Sequence, residues 1–202
     1  MNSILKQNNN ILTILLPDEY SGVKSDVLVA LLGSLALALM AQIRLPLSFT
    51  PVPITAQSMA ILIIGSSFGA KRAFLATLFY LIEGVAGLPF FSGGKFGMAV
   101  LLGPTGGYLI GFILASTTMG YLSDKMHDRS YKTSFPLFAL GHLLIFLPGC
   151  LWLGKFVGVE NILTKGFYPF IPGLLIKTII AGSITPSLWK FFHLDQRRQV
   201  DP

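Results

Sequence analysis

The sequence predicts an all-α polytopic membrane protein, six transmembrane helices folded as one domain. Three observations carry that expectation. Only 12% of the 202 residues are charged while 52% are hydrophobic, and mean hydropathy is +0.68; a soluble domain carries about 25% charged residues. Six apolar segments, some with their flanks, approach the roughly 20 residues that cross a hydrocarbon core. Lysines and arginines gather between those segments, and unevenly.

In chain order, the first span is expected at Asp26–Ile43, ending before Arg44, and the second at Ile54–Ala70. The third follows Lys71 and Arg72 at Ala73–Gly87. The fourth starts after Pro104 and runs to Leu122, and the fifth is Phe135–Val157, with a kink expected at Pro148-Gly149. The sixth is Tyr168–Phe192. Residues 1–24 form an N-terminal segment, 25–192 the bundle and 193–202 a tail. The apolar patch Ile11–Leu16 ends at Pro17 without a small-residue cleavage pattern, so the first span is expected to act as the targeting signal.

Cation counting gives the orientation. Lys6, Lys24, Lys71, Arg72, Lys125, Arg129, Lys132, Lys190, Arg197 and Arg198 fall on one side, and Arg44, Lys95, Lys155 and Lys165 on the other. The positive-inside rule then places both termini in the cytoplasm and turns loops 1–2, 3–4 and 5–6 outward. The net charge of +6 is explained by topology and calls for no nucleic-acid partner. A single cysteine, Cys150, rules out an internal disulfide, and no metal site is expected. The chain has no G-x-x-x-x-G-K-S/T nucleotide loop and no H-E-x-x-H or G-x-S-x-G motif, so no catalytic residue or cofactor is expected.

The stretch Leu88–Tyr108 holds eight glycines or prolines and one cation, Lys95, between two apolar runs. It is too broken for a helix and too apolar for an ordinary loop. Irregular backbone at that depth needs protein or a water-filled cavity around it, so it reads as the lining of an outward-facing small-molecule site. Lys177 lies inside the sixth span, about 13 Å from its outer end at 1.5 Å per residue. A lysine there costs about 2.5–3.5 kcal/mol on insertion scales and normally faces a cavity and a partner. Glu83, the acid within the third span, is a candidate partner for Lys177 or Lys95, or a proton carrier. His142 reads as a hydrogen-bonded core histidine. Gly103, Gly107 and Gly111 are spaced by four and would line one helix face. Ala30, Ser34 and Ala38 form a small-residue stripe suited to docking another helix, within the chain or outside it. The 1–2 loop carries Pro46, Pro51 and Pro53, a stiff segment that suits a lid, and Gln57 follows with an amide that donates and accepts.

The stretches TPVPITAQ (50–57), KRAFLATLFYLIEGVAGLPFFSGG (71–94), LLGPTGGYLIGF (101–112) and YPFIPGLLIK (168–177) resemble BioY, the biotin-binding S component of energy-coupling factor vitamin transporters. The resemblance implies a six-helix S-component fold in the plasma (inner) membrane and a biotin pocket near the outer surface under the 1–2 loop. It also implies docking through the small-residue face of the first span onto a transmembrane coupling protein driven by two ABC-type ATPases. The family pattern commonly has an acid three positions before the lysine of span six, where this chain has Leu174.

On that resemblance, Lys177 and Lys95 are expected to bind the valerate carboxylate. Gln57, Glu83 and Tyr80 would meet the ureido group together with N–H groups near Thr105 and Gly107, and Tyr108, Phe49 and Phe91 would pack the rest. The rival readings are a self-contained proton-coupled carrier that uses Glu83, and an intramembrane enzyme or structural protein.

Overall fold

A computed structural model of the chain describes residues 11–12, 22–125 and 127–200, with side chains through Phe191. The expected N-terminal segment lies mostly outside the described residues. The helices are α1 Val23–Gln42, α2 Gln57–Phe68, α3 Ala70–Val85, α4 Met98–Leu102, α5 Gly106–Asp124, α6 Tyr131–Val157, α7 Ile162–Gly166 and α8 Ile171–Val200. Two short strands, β1 Arg44–Leu45 and β2 Ile54–Thr55, pair antiparallel, with Arg44 opposite Thr55. Single 3₁₀ turns at Val159–Asn161 and Tyr168–Phe170 flank α7.

Among the described residues, three segments are long and apolar enough to cross a bilayer: Val23–Gln42, Tyr131–Val157 and Val159–Phe191. Together they mark a multi-pass membrane protein. Their lipid-type faces are plain on α1, where Leu28, Leu32, Leu35 and Leu39 are exposed while Ala30, Leu37 and Ala41 are buried. The apolar helix α2 has only 12 residues, about 18 Å at 1.5 Å per residue, so it does not span the core unaided. It meets α3 at one residue, Gly69, whose φ of +79° turns the chain. Lys71 and Arg72, expected to form the connecting turn, instead sit in the first turn of α3. There they pair with Asp26 of α1 at 2.7 and 2.6 Å.

The bundle is built around α5, which packs on α6, α2 and α3, while α1 packs on α3. A Cβ at Gly111 would stand 2.8 Å from the Ile145 carbonyl oxygen, and one at Gly107 would enter the Trp152 side chain. The missing side chains are what let α5 and α6 touch. Gly103, expected on the same face, precedes the helix and ends α4 instead. α6 runs as one helix through Pro136 and Pro148. α8 continues past residue 193 to Val200, into the segment expected as a tail.

The docking expectation for Ala30, Ser34 and Ala38 needs correction. All three are buried, and a Cβ at neighbouring Gly33 would meet Ala76 of α3 and Phe68 of α2. The stripe is occupied by the chain's own helices, so it offers no surface to another protein.

Polar groups tie the helices at the opposite end from the lid. Ser123 Oγ lies 2.5 Å from the Ser66 carbonyl oxygen and 2.9 Å from Asp128 Oδ2, between which its one hydrogen is shared, and Trp189 Nε1 donates to the same Oδ2 at 3.0 Å. Asp128 is fully buried. Burial pushes its carboxyl above the usual range, against the pull of those two donors and of Arg129. A folded-state value above the unfolded one favours the protonated acid. That contribution is complete below about pH 4, the unfolded carboxyl range, and is lost as pH rises through the folded value. Asp128→Asn mimics the protonated form, so its melting temperature in detergent is expected to match the parent's at acid pH and exceed it near neutrality. A variant less stable than the parent at both pH values would show that the charged carboxylate holds this end together.

Candidate ligand-binding site

The Leu88–Tyr108 stretch folds as a tight turn, a short helix and the start of α5. Phe91 N–H donates to the Lys95 carbonyl at 3.0 Å, closing a turn through Gly93 and Gly94. Their φ values of +77° and +69° are left-handed, where a side chain would be strained. Gly97 N–H then donates to the Gly84 carbonyl at 2.8 Å, tying the loop to the end of α3. Gln42, the last residue of α1, grips the turn from the other side. Its Oε1 accepts from Gly94 N–H at 2.9 Å, and its Nε2 reaches the Pro89, Phe90 and Phe91 carbonyls at 3.4–3.5 Å.

A cavity of about 510 Å³ lies between this loop, the β1–β2 hairpin, α5, α6 and α8. That is within the roughly 300–1,000 Å³ of small-molecule sites. Its roof is the 1–2 loop, latched by Thr50, whose Oγ1 donates to the Lys165 carbonyl of α7 at 2.7 Å. One wall is aromatic: Tyr108 and Phe146 meet edge to face with centroids 5.8 Å apart, and Phe146 meets Phe170 at 5.6 Å. Tyr108 is fixed by its hydroxyl, which donates to the Gly166 carbonyl at 2.8 Å. Its ring lies against Gly149, where a Cβ would enter it.

The floor is polar. Lys177 Nζ donates to the Thr55 carbonyl at 2.6 Å and to Ser58 Oγ at 3.0 Å. An ammonium has three donors, so one remains for a ligand oxygen. Beside it, His142 is almost fully buried. Its Nδ1 lies 3.0 Å from the Phe138 carbonyl, which can only accept, so this nitrogen carries the proton. Thr178 Oγ1 lies 3.1 Å from the same nitrogen, and Nε2 has no partner among the described residues.

Of the sequence candidates, Lys177, Lys95, Gln57, Thr105, Tyr108 and Phe91 border the cavity. Four do not. Tyr80 stands behind it and accepts a 2.5 Å hydrogen bond from Gln57 Nε2, orienting that amide. Gly107 faces α6, and Phe49 is 56% exposed on the lid. Glu83 lies outside the lining, and its Oε2 is buried without a partner among the described residues. The pairing of Glu83 with Lys177, one of the alternatives open in the sequence, is not formed: the neutral oxygens of Thr55 and Ser58 meet the ammonium instead.

The sequence reading missed Arg44, Ser58, Ser92 and the wall residues Phe112, Phe146 and Phe170, all of which line the cavity. Arg44 had been counted only for topology. Ser58 follows Gln57 directly, but nothing in the pattern shows which of two adjacent helical residues faces inward. The phenylalanines carry no signal that separates a wall from a core.

A family model described as the BioY family matches residues 11–194. The chain belongs to the BioY family. It is 37% identical over 153 residues to "Biotin transporter BioY2" of Lactococcus lactis subsp. cremoris, covering 74% of this chain and 81% of that one. It is 37% identical over 166 residues to "Biotin transporter BioY" of Rhizobium etli, covering 77% and 88%. In structure it resembles the S component for biotin from an ECF-type ABC transporter, with a TM-score of 0.74 at 24% identity over 87% of this chain and 95% of that one. The fold is therefore that of an S component.

Gln42 is outside the cavity, which makes its grip on the loop separately testable. Gln42→Ala is expected to speed amide hydrogen exchange at Gly94 and its neighbours while exchange in α5 and α6 is unchanged. Equal exchange at the loop in both proteins would mean that the Phe91–Lys95 turn stands without it.

Proposed function

We propose that this BioY-family chain captures biotin at the outer face of the plasma membrane and delivers it inward. It does so as the substrate-binding subunit of a transporter whose coupling module is a transmembrane protein with two ABC-type ATPases. Both termini lie in the cytoplasm and six spans cross the bilayer. One observation carries the ligand class. Among the described residues, the cavity is lined by Arg44, Lys95 and Lys177 and by no aspartate or glutamate. A net positive, largely apolar site suits an amphiphilic carboxylate, for which charge-assisted hydrogen bonds are the strong contacts. The names of its relatives and the fold it shares with a biotin S component support biotin as that carboxylate.

In this reading, the aromatic wall packs the ring system and the aliphatic chain. Gln57, oriented by Tyr80, and the spare donor of Lys177 meet the polar edge of the ureido ring or the carboxylate. An analogue that leaves one of these groups unpaired loses about 1–3 kcal/mol per group. No bond in the ligand is made or broken. The coupling protein is met by a surface other than the Ala30–Ser34–Ala38 stripe, since that face is filled. A self-contained proton-coupled carrier would need its proton site near the ligand, and Glu83 does not border the cavity.

The decisive test is equilibrium binding of labelled biotin to the detergent-purified chain, beside Lys177→Ala. Tight binding by the parent is expected, weakened at least about tenfold, or about 1.4 kcal/mol, by the substitution. A folded parent that binds no biotin would sink the assignment.

A further inference from the structure

We propose that Arg44 is the residue that binds the ligand's carboxylate, at the mouth of the cavity. This rests on the biotin reading above. Arg44 is the first residue of β1, opposite Thr55 in the hairpin that roofs the site. Its guanidinium lies across Gly93 of the 3–4 loop so closely that a Cβ there would stand 2.5 Å from Nη1. Gly93 is thus confined to glycine twice, by this contact and by its φ of +77°. An arginine that served only topology, or that reached for lipid phosphate at the rim, would point away from the cavity. This one lies against the loop and lines the cavity. The ion pairs among the described residues are those of Asp26 with Lys71 and Arg72, so no carboxylate among those residues pairs with the guanidinium.

Two arguments place the carboxylate at Arg44 rather than at Lys177. Lys177 already donates to Thr55 and Ser58 on the floor. Its one spare donor matches a single carbonyl oxygen, such as that of the ureido ring. Arg44 presents a planar fork that takes both carboxylate oxygens at once. Desolvation favours the same assignment. A carboxylate loses more hydration than a neutral urea on burial, so the charged end belongs at the more open end of the site. Lys95, on the return of the same turn, adds positive charge there.

The assignment is tested with two probes, biotin and its uncharged primary amide, against the parent, Arg44→Ala, Arg44→Lys and Lys177→Ala. Arg44→Ala is expected to weaken biotin at least about tenfold while leaving the amide within about twofold of the parent. Arg44→Lys should fall between parent and Arg44→Ala for biotin. Lys177→Ala should weaken both probes alike. Retained amide binding also reports that Arg44→Ala is folded. The proposal is overturned if Arg44→Ala leaves biotin binding intact, or if it weakens both probes equally. It is also overturned if Lys177→Ala alone discriminates between them. A parent that binds neither probe would remove the biotin reading and this proposal together, whereas a parent that binds biotin while Arg44→Ala is unaffected removes only the proposal.

Discussion

A positive charge carried into the bundle by Lys177, and met there only by neutral oxygens, sets the terms for the rest of the site. Burying an ammonium is unfavourable unless it is well partnered. Here the partners are the Thr55 carbonyl, at the end of β2, and the Ser58 hydroxyl, in the first turn of α2. Both belong to the segment that joins the roof of the cavity to its wall. One side chain of α8 therefore holds the β2–α2 junction against the floor. The same register places Gln57 inward, where Tyr80 fixes its amide. The floor, one wall and the base of the roof share a single electrostatic requirement.

The remaining walls depend on close backbone approach. Gly107 and Gly111 let α5 lie on α6, and Gly149 admits the Tyr108 ring. The Tyr108 hydroxyl can then reach the Gly166 carbonyl, and Thr50 secures the roof to the Lys165 carbonyl one residue earlier. Lid and aromatic wall are thus both tied to α7. A change that moved α7 would loosen both at once, through two single hydrogen bonds of about 1 kcal/mol each. On the proposed function, bonds of that size suit a lid that closes over a ligand and later releases it.

Much of this was legible in the sequence because the signals are compositional. Apolar run length gave the long helices, and the eight glycines and prolines of Leu88–Tyr108 marked irregular backbone that belongs near a cavity. Phe91, Lys95, Thr105 and Tyr108 of that stretch do border it. What was not legible depends on direction. Gly103 continues the four-residue spacing of Gly107 and Gly111, but the helix starts three residues after it. Spacing alone does not say where a helix begins. The small-residue stripe of α1 looked the same whether an internal helix or a foreign one filled it; α2 and α3 fill it. Glu83 and Lys177 looked complementary because they are opposite charges in apolar runs, yet α3 turns Glu83 away from the cavity. Arg44 was hidden by a rule that serves a different purpose, since the count that orients a membrane protein gives no weight to where a cation points.

The position of Leu174 follows from the same charge argument. It lies three residues before Lys177 on α8, on a neighbouring part of the helix face, and it lines the cavity. An acid at that position would sit within reach of the ammonium and satisfy it from inside the protein. With leucine there, Lys177 keeps its spare donor, and all the charge facing the cavity is positive. Arg44, Lys95 and Lys177 line one cavity, so an anion that enters meets positive charge. On the assignment proposed for Arg44, a bound carboxylate would hold both that arginine and the hairpin that carries it. On the proposed function, the ligand's own charge would add to the lid's single latch between Thr50 and the Lys165 carbonyl.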